Sequence, residues 1–272
     1  MKKTWIYSLL GFVLLYLLAC INLYFTQSNI LFPSQKANQA AYQDIAASLP
    51  NTNIDFATKD GVILNGYFVD TKPDQPLIIY YGGNAEDITY TFSHLQKGLD
   101  KSLLGFNYRS YGKSNGQPSE SNLFSDALEI FDAYQSKFQG RQIILIGRSL
   151  GSGVACYVAS QRNIKGLILL TPYDSILNVA KSKFSFMPIK LLLKHPFNSL
   201  EYSKNIKVST LFCLAQADFV IPRENSMHLY DNWSSPKKLV TITNSNHNNL
   251  IIQPELIHNL NSFLLDLESV IK

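Results

Sequence analysis

One serine in this chain stands where its hydroxyl could act as a nucleophile. Residues 147–151 are Gly-Arg-Ser-Leu-Gly, the G-x-S-x-G spacing, with the serine at position 149. The apolar, mostly β-branched residues 143–146 predict a buried strand before it, and residues 154–160 predict a helix after it. A strand, a tight turn with serine at its apex and a helix together predict a nucleophile elbow. The alternative is a glycine-rich turn with an incidental serine.

A serine nucleophile needs a general base within hydrogen-bond reach and a carboxylate to orient that base. Among the five histidines, His247 falls in a loop after a predicted strand, where such a base is expected. The others fall in predicted helices or in an insertion, and we expect them to be packing or surface residues: His94, His195, His228 and His258. The carboxylate is expected after the preceding strand, which favours Asp218, with Asp174 as its rival. Asp218 could alternatively cap the turn before Pro222.

Negative charge that develops on a substrate oxygen needs N–H donors already in place. We predict that one donor is the amide of Leu150, directly after the serine, and that the other is the amide of Asn84, in a Gly-Gly-Asn turn. That turn could instead be an ordinary connection. Three residues beside these groups are expected to contact substrate: Gly83, Arg148 and Tyr173.

Strands and helices are predicted to alternate along most of the chain, which is typical of a mainly parallel, doubly wound α/β sheet. A hairpin is expected at residues 54–69, followed by strands at 77–81, 102–107, 143–146, 165–170, 210–215 and 238–243. Helices are expected between them, including 124–138, 223–233 and 254–270. Ligands bind at the carboxyl ends of such strands. We therefore predict one domain over residues 51–272, with a short helical cap insertion at about 175–206.

The N-terminal residues are expected to form a membrane anchor. Residues 5–25 are apolar apart from Ser8 and Asn22, which is long enough to span a bilayer. We predict a single-pass anchor at 1–26 and a connector at 27–50, with a helix at about 35–48. Lys2 and Lys3 favour a cytoplasmic N-terminus, which would place the catalytic domain on the extracytoplasmic side. A cleaved signal peptide and a lipoprotein modified at Cys20 remain alternatives.

Composition argues against several other classes of protein. Of the 272 residues, 46% are hydrophobic and 16% charged, and the net charge of +4 is scattered, so we expect no nucleic-acid partner. The three cysteines form no C-x-x-C pair and no zinc spacing: Cys20, Cys156 and Cys213. We expect Cys156 and Cys213 to pack in the core, and we predict no metal or organic cofactor. The expected substrate is a small-molecule ester or acyl compound, and the oligomeric state stays open.

The cap insertion allows two interpretations. It carries five apolar positions and runs (Phe184, Phe186, Met187, Ile189 and 191–193), and four lysines lie among them: Lys181, Lys183, Lys190 and Lys194. The insertion could be an apolar lid that binds acyl chains, with its lysines facing anionic lipid head groups. The interpretation that we favour is a cap helix packed on the domain, with solvated lysines.

Several motifs together resemble one family. They are the elbow at 147–151, residues 107–114 with Pro-Ser-Glu at 118–120, Thr-Pro-Tyr-Asp-Ser at 171–175, Ala217-Asp218 with Ile221-Pro222, and Ile-Leu-Phe-Pro at 30–33. The chain resembles the membrane-anchored α/β-hydrolase-domain serine hydrolases, relatives of the prolyl-oligopeptidase superfamily. This resemblance implies the α/β-hydrolase fold, the triad Ser149, Asp218 and His247, an N-terminal anchor, and ester, thioester or lipid-like substrates.

The chain departs from the family pattern after the oxyanion strand. The family usually has His-Gly-Asn-Ala-Gly there, whereas residues 82–86 are Gly-Gly-Asn-Ala-Glu. We expect the missing histidine to change how that loop is held, and Glu86 to place a carboxylate near the mouth of the site, where it would disfavour anionic acyl chains. Ser110 also stands where glycine is usual. The resulting prediction is a serine hydrolase that forms an acyl-enzyme; a serine peptidase and a non-catalytic binding protein remain alternatives.

Overall fold

A single eight-stranded sheet forms the centre of the molecule. The computed structural model describes residues 2–33 and 39–269, with side chains from residue 5 onward. The strands lie in the order β1-β2-β4-β3-β5-β6-β7-β8. Their bounds are β1 Asn53–Ala57, β2 Ile63–Val69, β3 Leu77–Tyr81, β4 Leu103–Phe106, β5 Ile143–Arg148, β6 Gly166–Leu170, β7 Thr210–Ala217 and β8 Lys237–Asn246. β1, β2 and β4 pair antiparallel, and the pairs from β4 to β8 are parallel, which confirms the predicted hairpin and mainly parallel sheet.

Helices cover both faces of this sheet. Their bounds are α1 Lys2–Leu31, α2 Gln39–Ser48, α3 Thr89–Leu99, α4 Glu120–Lys137, α5 Leu150–Gln161, α6 Ile176–Lys183, α7 Ile189–Leu192, α8 Ser199–Ser203, α9 Arg223–Asp231 and α10 Pro254–Ser269. Helices α2, α3 and α10 pack on one face, and α4, α5 and α9 pack on the other. All five residues of β3 are therefore buried, although successive side chains point to opposite faces.

Two element boundaries differ from the prediction because polar residues extend an element. Helix α4 begins at Glu120 rather than 124, since the Ser119 hydroxyl caps it by accepting the N–H of Asn122 at 3.1 Å. Strand β8 continues to Asn246 rather than 243, because Asn246 still pairs with Ala217 of β7 across a register shift. Polar residues at the end of β8 had predicted a loop. The strand instead carries the chain directly to His247.

Helix α1 is also longer than expected. It continues to Leu31, beyond the predicted anchor at 1–26, and in this added length the side chain of Gln27 hydrogen-bonds the cap. Over Trp5–Leu31 it is long and apolar enough to cross a membrane. Met1, the start of the connector helix predicted at about 35, and Val270 lie outside the described residues. Cys156 and Cys213 are fully buried, as predicted for core residues.

Candidate active site

Ser149 occupies a strained turn between β5 and α5. Its backbone has φ 50° and ψ −119°, a region that non-glycine residues rarely adopt. The two flanking glycines are required by close approach of the backbone. A Cβ on Gly147 would overlap the carbonyl oxygen of Gly151, and a Cβ on Gly151 would overlap that of Tyr81. The turn therefore has the geometry predicted for an elbow, with the serine at its apex.

The three predicted catalytic side chains form a continuous chain of hydrogen bonds. Nε2 of His247 lies 2.9 Å from Oγ of Ser149, and Nδ1 of His247 lies 2.8 Å from Oδ2 of Asp218. The residues follow β5, β7 and β8, three parallel strands whose carboxyl ends share one edge of the sheet. Ser149 and His247 are both buried, so these bonds are shielded from bulk water.

The hydrogen bonds of Asp218 determine where the proton of the imidazole lies. Its Oδ1 accepts the N–H groups of Val220 at 2.9 Å and Ile221 at 2.8 Å. Burial by itself would raise the pKa of Asp218, but the hydrogen bond and charge of His247 and these two N–H donors outweigh it, and the pKa is lowered. An ionised carboxylate can only accept, so Nδ1 of His247 carries the proton and Nε2 can accept the Ser149 hydroxyl.

The two predicted oxyanion donors both line the space beside Ser149. Leu150 is the first residue of α5, so its N–H has no acceptor within the helix. Asn84 lines the same cavity, and the hydroxyl of Tyr111 donates to the Asn84 carbonyl, which fixes the peptide that follows Asn84. The backbone of Gly83 approaches Ser149 closely, but its N–H donates to Oε2 of Glu86 at 2.7 Å. The Gly83 N–H is therefore engaged within the protein, and the roles of Leu150 and Asn84 as oxyanion donors stay predictions.

Glu86 faces the protein interior. Its side chain is 9% exposed, and its Oε1 accepts the Tyr80 hydroxyl at 2.8 Å. Its Oε2 accepts both the Gly83 N–H and Nη1 of Arg148, the latter at 2.9 Å. The expectation of a free carboxylate that repels anionic chains is therefore wrong, because Arg148 neutralises Glu86. Glu86 instead holds the loop that lacks the family's histidine.

Arg148 links this loop to the catalytic histidine. Its Nη2 donates to the carbonyl oxygen of His247 at 3.1 Å, while Nη1 holds Glu86. Its guanidinium is thus used inside the protein rather than in the cavity beside Ser149, where it was expected to contact substrate. The sequence could not indicate this role, since Glu86 and Arg148 are 62 positions apart.

An apolar cavity of about 210 Å³ opens beside Ser149. Tyr173 is among the residues that line it, its hydroxyl donates to the Leu150 carbonyl at 3.2 Å, and its contact with substrate stays a prediction. The cap contributes Val179 and other apolar side chains, and α1 contributes Ile30. The sequence had not predicted that the N-terminal helix reaches this cavity.

Asp174, the rival acid, is engaged elsewhere. Its Oδ2 accepts from Asn178 at 2.6 Å and lies 2.8 Å from Nδ1 of His228, and its Oδ1 accepts from Asn225 at 3.0 Å. Asp174 therefore joins the cap to α9 and does not contact His247. Of the two candidates, Asp218 is the one that the fold brings to the histidine.

Comparison with known proteins agrees with this architecture. A family model described as the alpha/beta hydrolase fold matches residues 75–189. An uncharacterized protein of Mycobacterium tuberculosis is 31% identical over 206 residues, which are 74% of this chain and 72% of that protein. An uncharacterized membrane protein of Saccharomyces cerevisiae is 28% identical over 94% of this chain and 95% of its own length.

A solved structure shares the fold at much lower identity. An esterase of Pyrococcus furiosus superposes with a TM-score of 0.69 at 18% identity, covering 87% of this chain and 97% of its own. The matched family model, the mycobacterial relative and the shared architecture lead to one conclusion. The chain belongs to the alpha/beta hydrolase fold family.

Proposed function

We propose that this protein is a membrane-anchored serine hydrolase that cleaves ester or thioester substrates through an acyl-enzyme on Ser149. The observation that carries the proposal is the continuous series of hydrogen bonds from Asp218 through His247 to the Ser149 hydroxyl. A hydroxyl alone is a poor nucleophile near neutral pH, and this arrangement provides the base that it needs.

In the proposed first step, Ser149 Oγ attacks the substrate carbonyl while Nε2 of His247 takes its proton. Asp218 remains ionised and stabilises the imidazolium that forms. The Leu150 and Asn84 amides donate to the oxyanion, which would contribute about 3 to 4 kcal/mol of transition-state stabilisation per donor. The imidazolium then protonates the leaving alcohol or thiol. Water, activated by the same histidine, releases the acid and restores the serine.

The apolar cavity favours acyl substrates over peptides. Its lining consists mostly of aliphatic side chains from the cap and α1, and such a lining suits a hydrocarbon chain better than a peptide with unsatisfied polar groups. The esterase activity named for the Pyrococcus relative is consistent with this choice. We propose that α1 anchors the enzyme and that the positive N-terminus keeps the catalytic domain on the extracytoplasmic side.

Labelling with a fluorophosphonate probe tests this proposal. The full chain in detergent should be labelled, and Ser149→Ala should abolish the label, whereas Ser160→Ala, near the far end of α5, should retain it. Turnover of a short p-nitrophenyl ester, an acyl thioester and a dipeptide amide separates the classes: we expect the ester and thioester to be cleaved and the amide to be spared. Absence of label on the native chain would refute the proposal.

A further inference from the structure

The membrane helix forms part of the wall of the cavity beside Ser149. Leu23, Ile30 and Leu31 of α1 face the same space as Val179 and Leu192 of the cap. A helix that acted only as a membrane tether would not be expected to line the binding site. The candidate anchor and the candidate acyl pocket therefore share residues.

Polar contacts hold α1 against the cap along much of its length. Gln27 donates to the Leu192 carbonyl at 2.9 Å and accepts the Lys194 N–H at 2.8 Å. Farther toward the N-terminus, the Tyr16 hydroxyl donates to the Phe186 carbonyl at 3.0 Å. Tyr16 precedes Gln27 by eleven residues, which correspond to about 16 Å of α-helix. The cap thus lies alongside α1 rather than only at its end.

The length of α1 places this contact at the depth of the bilayer. The 27 residues Trp5–Leu31 extend about 40 Å, whereas the hydrocarbon core is about 30 Å thick. If the core begins at Trp5, it ends near Tyr24, where Lys194 lies 3.9 Å from the aromatic ring, a pairing typical of the membrane interface. Tyr16, and with it Phe186, then lies about 12 Å deeper.

The tip of the cap, around Phe186 and Leu191, exposes apolar side chains, as a segment inside the hydrocarbon of a bilayer must. Phe186 is 67% exposed and Leu191 is 82% exposed, and neither side chain lines the catalytic cavity. The backbone of Phe186 contacts α1, since its carbonyl accepts the Tyr16 hydroxyl. Lys181, Lys183 and Lys190 in the same part of the cap are also exposed, and Lys183 in addition lines the cavity. Cationic side chains of this kind are attracted to anionic lipid head groups. This apolar tip with a basic border matches a lipid leaflet better than it matches water.

We propose that the cap tip enters the same leaflet as the outer part of α1, and that the substrate is an acyl lipid that reaches Ser149 laterally from the bilayer. This inference rests on the proposed function. One acyl chain of the lipid lies between α1 and the cap, and its ester carbonyl meets Ser149. The acyl group passes to Ser149 Oγ, the lysolipid leaves with the proton held by His247, and water then releases a fatty acid.

Hydrolysis of a vesicle lipid and of a soluble ester by the same samples tests the inference. The full chain is reconstituted in phosphatidylcholine vesicles that contain phosphatidylglycerol with a radiolabelled oleoyl chain, and p-nitrophenyl butyrate is the soluble reference. We expect oleate release to fall at least tenfold in the double variant Phe186→Ser, Leu191→Ser, with butyrate hydrolysis unchanged. The control is Leu265→Ser, which changes an exposed leucine of α10 outside the cap and should alter neither rate.

The outcomes separate this inference from the function on which it rests. If the wild-type chain shows neither fluorophosphonate labelling nor butyrate hydrolysis, the proposed hydrolase function is refuted. Butyrate hydrolysis without oleate release, or equal oleate release by wild type and the double variant, overturns the lipid inference alone. A nitroxide at Phe186→Cys should be more accessible to oxygen than to a water-soluble nickel chelate, and one at Leu265→Cys should show the reverse. The opposite result at position 186 also overturns it.

Discussion

The carboxylate of Glu86 lies 2.9 Å from the guanidinium of Arg148, and this buried pair joins the two loops that flank Ser149. On one side, Glu86 fixes the Gly83 N–H and thereby the turn that presents Asn84. On the other side, Arg148 holds the carbonyl of His247. The proposed oxyanion donor and general base are therefore positioned by one electrostatic connection.

Glu86→Gln should lower kcat about 10- to 100-fold with KM changed less than threefold. The amide can still accept the Gly83 N–H, but the buried Arg148 charge loses its partner, and small displacements of reacting groups cost this much in rate. Steady-state kinetics with a p-nitrophenyl ester measure the split. Asp132→Asn, which breaks the solvent-exposed pair with Arg162, is the matched control and should leave kcat within twofold. Equal losses in both variants would contradict a positioning role for Glu86.

Asp218→Asn should reduce kcat by about 10⁴ while the fold is retained. The amide can no longer stabilise the imidazolium and can hold the histidine in the wrong tautomer. Asp174→Asn is the control, because the buried Asp174 also pairs with a histidine, His228, outside the candidate site. It should reduce stability by about 1 to 3 kcal/mol through its unmatched donors but retain most of the activity. If Asp174→Asn lost as much kcat as Asp218→Asn, the assignment of the acid would be wrong.

Local sequence was sufficient to predict the elbow and the order of its partners. The elbow is recognisable from about ten consecutive residues, because they contain the β-branched strand before Ser149 and the glycines at 147 and 151. Parallel strands end at one edge, so His247 and Asp218 could be chosen from the elements that precede them. The contacts of Glu86 and of α1 could not be found in this way. Both depend on pairs far apart in the chain, such as Gln27 with Leu192 at 165 positions, which no periodicity reveals.

Glu120 should make the stability of the fold depend on pH. Burial raises its pKa from 4.5 to about 6, although the Phe197 N–H and Tyr202 hydroxyl both donate to it. Between these values the folded state binds more protons than the unfolded state, so the free energy of unfolding should fall as pH rises from about 4.5 to 6. The loss should be of order 1 kcal/mol after solvent screening.

Glu120→Gln should remove this dependence, because the amide oxygen can still accept from Phe197 without a charge. Melting temperatures of the variant and wild type should agree at pH 4 and differ by several degrees at pH 7, with the variant higher. Glu224→Gln, at an exposed position of α9, should change neither value. If the melting temperature of the wild type rose from pH 4.5 to 6 relative to that of Glu120→Gln, the claim that ionised Glu120 destabilises the fold would be wrong.

Gln27→Leu should loosen α1 from the cap. The buried Gln27 amide satisfies two backbone groups of the cap, the Leu192 carbonyl and the Lys194 N–H, and leucine would leave both unpaired at a cost of about 1 to 3 kcal/mol.

The distance between α1 and the cap can be followed through Cys20, since its sulfur lies 3.8 Å from that of Met187. In a Met187→Cys background, a short bifunctional thiol reagent should crosslink Cys20 to position 187, and Gln27→Leu should slow this crosslinking at least fivefold. Thr26→Val removes a hydroxyl that donates to the Asn22 carbonyl of α1, provides the comparison and should not slow it. Because α1 forms one wall of the cavity, a variant that separates α1 from the cap should also raise KM for vesicle lipid. If crosslinking slowed but KM stayed unchanged, α1 would not be needed to bind the acyl chain.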